Sequence, residues 1–534
     1  MFPFPSLQLY PRFTTAAMLE KLPVLADYDV SPLTGFLPET LPLRRLNSYF
    51  DAWEDIVENL PALVLTRQVR PLVDAMPHLD TKHLQSEPEW RRAVSILSFI
   101  SHAYVWAGDA PSDHIPTQLA EPWLAVSAHF DLPPICSYAA VCLWNHKTVV
   151  PVDSPEKWTL DNIATLNTFT GAIDESWFYL VSTAMERQGA PCLATGLAAI
   201  RACREDKPDV VIKNLQLLAE AIDGLTTTLM RMFEMCDPHI FYFRLRPYLA
   251  GWKNMAEAGL PKGVRYGDET EYRQISGGSN AQSSLIQALD IILNVEHHPT
   301  GTRSRSKTEL PTDRSDRKPE KSNNNFIHEM RKYMPIKHRQ FLEHLTLVAH
   351  IRDYVTANAE REPALVISYD ACLAMLRNFR DKHIQIVSRY IVIPSQQAKK
   401  QKDNLTKREG LAASSDKKKV ERGTGGTALI PFLKQARDET GDSAAGSWGR
   451  RILSENVQTG EFATAPATTI LKRPVAAMES ESYAAGQDSA KMSTFKKVKT
   501  ALFGSTKPAE DETRQVGLSG DWKTSKDKGG IPHW

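Results

Sequence analysis

Apolar residues along this chain recur at steps of three and four over long stretches, and the two-residue alternation of a half-buried strand is nearly absent. That period marks one face of a helix, so the pattern predicts an all-α protein. A first group of helices is expected between Leu46 and Val105, in LNSYFDAWEDIVENLPALV, VRPLVDAM and EPEWRRAVSILSFISHAYV. Glu87 and Pro88 suit the first turn of the last of these. The turn-rich pieces AGDAPSDHIP and FDLPPICSY lead to a second group at about 175–203, 207–236, 281–294, 326–358 and 368–393.

The last stretch, Ser368 to Ile393, has the most informative face. Cys372, Leu376, Phe379, His383, Ile386 or Val387, and Tyr390 fall on one side of it, so His383 points with the apolar residues. A buried imidazole needs a partner. The pattern leaves two readings: a core histidine hydrogen-bonded to a neighbour, or a ligand to a metal or haem iron.

Two segments break the helical pattern, Thr300–Asn325 and Gln396–Arg422. Both are polar, charged and poor in large apolar residues, which predicts mobile surface loops. From Gly441 onward the chain is rich in Ala, Ser, Thr, Gly and Lys, with one short amphipathic piece, STFKKVKTALFG. The expected organisation is an extended lead over 1–30, a small helical domain over 31–130, a large one over 131–440, and a disordered tail over 441–534.

Composition narrows the function classes. Hydrophobic residues make up 42% and charged residues 24% of 534 positions, enough apolar mass for a large core, and the net charge of +1 gives no electrostatic reason to expect nucleic acid or an anionic membrane as partner. Six scattered cysteines include no C-x-x-C pair or zinc-like spacing, which fits a reducing compartment. The N-terminal stretch MFPFPSLQLYPRFTTAAMLEKL has no basic region followed by an unbroken apolar core. No apolar run reaches the roughly 18 residues of a membrane span. A soluble cytoplasmic protein is expected.

Four segments carry candidate chemistry. PHIFYFRLRPYLAGWKN (238–254) sets Phe241, Tyr242 and Phe243 beside Arg244 and Arg246; aromatics give flat apolar walls and an arginine offers a planar fork to a carboxylate, although a core helix with solvent-reaching arginines gives the same string. ISGGSNAQSS (275–284) is a Gly-Gly turn entering a helix, open to close backbone approach of a ligand or to plain helix entry. RGTGGT (422–427) lacks the phosphate-loop pattern and reads as a lid or a surface turn. On the fourth, the His383 helix, Arg380 shares the histidine's side. Ser283, Gln287, Asp290 and Asn294 form a stripe expected to face solvent, with an Asp290–Arg380 pair only if the two helices touch. His297, His298, His328, His338, His344 and His350 are expected at the surface. No H-E-x-x-H, G-x-S-x-G or nucleotide fingerprint is present, so by elimination a cofactor would do the chemistry.

Taken together the segments resemble the indoleamine 2,3-dioxygenase family, and its fungal members in particular. The strings FYFRLRPYLAGWK, GGSNAQSSLIQALD, MRKYMPIKHRQFLEHL, YDACLAMLRNFRDKHIQIVSRYIVIPSQQ and GTGGTALIPFLKQARDET occur in that order, with HAYVW, DLPPICSYAAV and WFYLVS upstream. The similarity spans about residues 25–440. It implies a monomeric enzyme with one haem b per chain that inserts O₂ into the indole ring of L-tryptophan, giving N-formylkynurenine, the first step of tryptophan catabolism toward NAD. It implies that the domain over 131–440 binds the haem. It makes His383 the proximal iron ligand and Arg380 with Asp290 the pair steadying its helix. Tyr138, Phe178, Ser182, Phe241 and Arg246 take the distal pocket positions, with Ser182 and Phe241 nearest the chemistry, and Gly278, Ser279 and Thr424 match the backbone and loop contacts to substrate. The matched distal positions include no histidine or carboxylate. Asn280 stands where alanine is common in the family, and Val141 where mammalian members carry cysteine. A non-catalytic haem protein sensing O₂ or tryptophan, and a helical interaction scaffold, remain open as other readings.

Overall fold

The computed structural model describes residues 20–152, 157–301, 326–400, 423–424, 429–454, 514–517 and 520–523. Helices carry the architecture, as the periodicity predicts. Strands among the described residues are confined to three short pairings: His114–Ile115 with Arg265–Tyr266, His146–Thr148 with Ile163–Thr165, and Arg514–Gly517 with Gly520–Lys523. The first two belong to the unit Met1–Gln458 and the last to a second unit, Thr459–Trp534.

The first helical group ends in α1 (Glu87–Trp106) and is followed by α2 (Thr117–His129). At the start of α1 the Glu89 carboxylate accepts the backbone N–H groups of Gln85 and Ser86 at 2.7 and 2.9 Å, which satisfies donors that the helix itself leaves open.

The second group breaks more often than the apolar pattern indicates, and each break has a local cause. The stretch expected over 175–203 is two helices, α3 (Ile173–Gln188) and α4 (Ala190–Arg204), because Pro191 has no N–H to continue the first and sits in the opening turn of the second. The stretch over 207–236 is α5 (Pro208–Met230) plus the short Met232–Met235. That over 281–294 shortens to α6 (Ser284–Ile292), entered through a 3₁₀ turn at Asn280–Gln282. That over 326–358 divides at Pro335 and His350 into Phe326–Met330, α7 (Ile336–Val348) and Ile351–Ala357. The histidine helix, α8 (Pro363–Val387), begins five residues earlier than expected with Pro363 in its first turn, and it continues through a π-helical turn at Ser388–Val392 into Ile393–Lys400. Pro394 cannot donate to the Tyr390 carbonyl, and the widened turn accommodates that loss.

Two boundaries are corrected at the C-terminal end. The positions up to Lys400, expected in a loop, are helical, whereas 401–422 lie outside the described residues, as do 302–325. Residues 441–454, expected in a disordered tail, belong to the folded body: α9 (Leu429–Asp442) and α10 (Ser447–Ser454) follow one another there, and the Asp370 carboxylate of α8 accepts the backbone N–H groups of Ala445 (2.8 Å) and Gly446 (3.1 Å). The rest of that tail, including STFKKVKTALFG, lies outside the described residues apart from the two strands.

α8 lies along α5, α5 along α4, and α9 packs on α8, so the histidine helix is covered on two sides by other helices. All six cysteines are buried free thiols, as their apolar context predicts. No described helix is long and apolar enough to cross a membrane.

Candidate active site

Between α3, α6, α8, α9 and the segment from Phe241 to Leu249 lies a cavity of about 230 Å³. One water needs roughly 10–15 Å³ on that scale, so this is a ligand-sized space and no packing defect. Every site residue singled out above lines it: Tyr138, Phe178, Ser182, Phe241, Arg246, Gly278, Ser279, Asp290, Arg380, His383 and Thr424, together with Val141 and Asn280.

His383 sits near the end of α8 with Phe379, Ile386 and Val387 beside it in the cavity wall. Its ring has no hydrogen-bond partner among the described residues. Burial, and then the charge of Arg380, push its pKa down to about 4. The imidazole is therefore neutral near pH 7, with a lone pair free for a Lewis acid.

Arg380, one turn earlier, reaches the other way. Its Nη2 lies 2.7 Å from both carboxylate oxygens of Asp290, and its Nη1 donates to the Thr440 hydroxyl. α6 and α8 do touch, and the stripe expected to be solvated is buried at Ser283, Gln287 and Asp290. Gln287 donates to the Ala281 and Ile327 carbonyls and accepts from Arg331, so each polar group has a partner from a distant segment.

Part of the wall is aromatic. Phe178 and Phe241 stand 4.8 Å apart between ring centroids, and Phe241 meets Tyr390 edge-on at 5.6 Å. Arg246 is 2% exposed, with its guanidinium 5.1 Å from the centre of the Tyr242 ring; of the two readings of its segment, the solvent-reaching one is excluded for this arginine. Phe178, Ser182 and Glu186 follow at four-residue steps along α3 and share one face. The Ser182 hydroxyl donates weakly to the Phe178 carbonyl of its own helix, at 3.4 Å.

Glu186 corrects the expectation of a wall without carboxylates. It is buried, and its Oε1 accepts hydrogen bonds from the Tyr138 hydroxyl (2.9 Å) and the Ser283 hydroxyl (2.6 Å), while Oε2 has no partner among the described residues. Burial raises its pKa to about 7, against the lowering effect of those two donors. The sequence signal for it was one further step along the Phe178–Ser182 face.

The Gly-Gly turn has a structural use. A Cβ at Gly277 would fall 2.3 Å from the Leu249 carbonyl oxygen, and one at Gly278 would fall 2.7 Å from the Cys136 carbonyl oxygen, so the chain passes backbone against backbone here. The same turn holds Thr424: the Gly277 N–H donates to the Thr424 carbonyl at 3.2 Å, and the Thr424 hydroxyl donates to the Gly278 carbonyl at 2.5 Å. Ser279 caps the following turn through the Ala281 N–H. Residues 425–428 of the glycine-rich segment lie outside the described residues.

Two histidines expected at the surface, His338 and His350, are buried, and the side chain of a third, His297, is 5% exposed. His338 stacks edge-on against Phe36 at 4.9 Å, and burial pushes its pKa down to about 4. His350 is held by the Val348 carbonyl at 2.7 Å. His297 lies between two carboxylates, Asp290 and Glu439.

Comparison with known proteins adds an independent line. A family model described as indoleamine 2,3-dioxygenase matches residues 24–443. The chain is 45% identical over 447 residues to an indoleamine 2,3-dioxygenase of Saccharomyces cerevisiae, covering 80% of this chain and 96% of that one. It is 38% identical over 423 residues to indoleamine 2,3-dioxygenase qulI of Penicillium citrinum, covering 78% and 88%. It is 34% identical over 426 residues to 6-hydroxytryptophan 2,3-dioxygenase fscD of Fusarium equiseti, covering 79% and 98%.

Proposed function

Since the chain belongs to the indoleamine 2,3-dioxygenase family, we propose that it is a haem-dependent dioxygenase that cleaves the indole C2–C3 bond of L-tryptophan, placing one atom of O₂ on each carbon, and releases N-formylkynurenine. The observation that carries the reading is His383: a neutral imidazole without a hydrogen-bond partner among the described residues, in the wall of the cavity that Arg246 also lines.

The residues fit haem b. Among the described residues no group of three or more His, Cys, Asp or Glu could hold a bare metal ion, so a metal bound by His383 has to bring its remaining ligands with it, as porphyrin iron does. When bound, the haem supplies an iron centre that activates O₂. His383 donates one ring nitrogen to it. The Arg380–Asp290 pair fixes the turn of α8 that carries His383, since a buried arginine held at both carboxylate oxygens leaves the helix little freedom to rotate. Arg246 receives the tryptophan carboxylate, and Phe178 and Phe241 form the apolar surface on which the indole lies. Those rings also exclude water, which favours an apolar reacting pair. Thr424, held over the Gly277–Gly278 turn, closes the cavity behind the substrate.

Ser182 is an accessory in this arrangement, because its hydroxyl turns back on its own helix. Ser182→Ala should keep turnover within about tenfold of the wild type. An essential acid or base is worth roughly 10²–10⁴-fold, so a loss of that size in steady-state assays would give Ser182 a role denied to it here.

The deciding experiment is anaerobic reduction of the purified protein followed by addition of O₂ and L-tryptophan, with N-formylkynurenine followed by its absorbance. Haem absorption with product formation supports the reading. A colourless protein, or a haem spectrum with no product, overturns it. 6-Hydroxytryptophan, for which one relative is named, is the comparison substrate.

A further inference from the structure

Beside the Arg380–Asp290 pair lies a polar cluster that the reaction as described does not use. His297, in the loop after α6, has its side chain covered by neighbouring segments. Its Nε2 lies 3.1 Å from Asp290 Oδ2 and its Nδ1 lies 2.7 Å from Glu439 Oε2. Glu439 belongs to α9, next to Thr440, which receives the Arg380 hydrogen bond. The other oxygen of Glu439 accepts the His298 backbone N–H at 3.0 Å and the Gln435 side-chain amide at 2.8 Å. One network thus ties α6, the loop after it, α8 and α9 together.

The geometry counts protons. A neutral imidazole has one N–H, yet both ring nitrogens of His297 face carboxylate oxygens. With both carboxylates ionised, a neutral ring would set one nitrogen lone pair against an oxygen lone pair. One added proton satisfies both contacts, and it also balances the charges, Arg380 and His297 positive against Asp290 and Glu439 negative. Burial opposes the imidazolium, but the Asp290 charge and the hydrogen bonds to Asp290 and Glu439 outweigh it and hold the His297 pKa above its ordinary value, while Arg380 pulls weakly the other way. Burial likewise works to raise the carboxylates, yet Arg380 and His297 keep Asp290 below its ordinary value, and His297 with Gln435 does the same for Glu439. The other titratable groups facing the cluster are His298, 3.4 Å from Glu439, His328, and Arg331 near Asp290.

We propose that His297 and Glu439 are positioning residues for the reaction site: protonated His297 fastens α9, whose Phe432, Leu433 and Ala436 line the cavity, onto the Asp290–Arg380 pair, so that the fit of this wall to the substrate depends on this one proton. The part concerning the substrate rests on the reading of the cavity given above; the fastening of α9 does not. Because the folded pKa of His297 is raised, its stabilisation is complete below the ordinary imidazole value of about 6.5 and is lost as pH rises through the folded value. The α9 wall should loosen over the same alkaline interval, and haem retention, which falls to His383, should not.

The test compares the full-length wild type with His297→Gln and Glu439→Gln. Thermal midpoints, haem content, and kcat and KM for L-tryptophan are measured from about pH 5 to pH 9, a range that brackets imidazole titration. In the wild type the midpoint falls and KM rises on the alkaline side. His297→Gln removes that alkaline limb and raises KM at neutral pH by about tenfold, a usual size for coupling between sites, with kcat and haem content near wild type. Glu439→Gln keeps a titrating histidine but takes away one of its anions, so the limb moves to lower pH. Stability profiles of both variants that superimpose on the wild type overturn the proposal. So does a parallel fall of haem content and turnover, which would place the cluster under the haem rather than under the substrate wall. A wild type without turnover sinks the functional reading alone, since the stability profiles still decide whether His297 fastens α9.

Discussion

His383→Gly should give a folded protein that loses nearly all bound haem and all turnover of tryptophan. The expectation follows from what the ring does not do. Among the described residues it holds no hydrogen bond, so its removal leaves no buried donor or acceptor without a partner, and it lines a cavity rather than filling a gap between helices. The folding cost is then close to that of any glycine inside a helix, roughly 1 kcal/mol. Absorbance in the Soret region against protein concentration reads the haem, and circular dichroism reads the fold. Glycine also leaves a space shaped for imidazole, and free imidazole added to the variant should restore part of the pigment. A His383→Gly protein that is fully pigmented and competent would end the haem assignment of α8.

Arg246→Ala should weaken tryptophan binding by roughly 30-fold to several thousand-fold, the range for removing one partner of a buried charge pair at about 2–5 kcal/mol, while haem content stays at the wild-type level. Arg246 is 2% exposed and lines the same cavity as His383, so the carboxylate it receives is withdrawn from water and depends on it. Lysine should rescue this only in part, since a point charge does not reproduce a planar fork. Spectral titration of the reduced, haem-loaded protein measures the effect. Tryptamine, which has no carboxylate, should bind wild type and variant alike. Equal affinity of both proteins for tryptophan would remove Arg246 from the substrate site.

Much of this site was legible in the sequence, for reasons that particular residues make plain. Periodicity put His383 on the apolar face of its helix, and it could do so because Leu376, Phe379 and Tyr390 repeat locally. Whether that histidine had a partner was not a local property. The polar stripe Ser283–Gln287–Asp290 was read as solvated because helical spacing cannot distinguish water from a distant arginine; Arg380 lies 90 positions away and Glu439 farther still. His297 reads as a surface histidine for the same reason. The helix breaks at Pro191 and Pro335 were present as residues but masked by continuous apolar spacing on either side. Glu186 is the exception: one four-residue step beyond Ser182 on the same face of α3, it is within reach of helical spacing alone.

Three π-helical turns occur among the described residues, at Ala139–Leu143, Phe241–Leu245 and Ser388–Val392, and each contributes side chains to the cavity wall. Such a turn amounts to one surplus residue within an otherwise regular helix. Losing that residue would rewind the stretch and swing everything beyond it by about 100°. The shape of the chamber is thus stored in chain register as well as in side-chain identity. A lineage could retune what the chamber admits by a single in-frame codon deletion, with every wall residue still spelled the same.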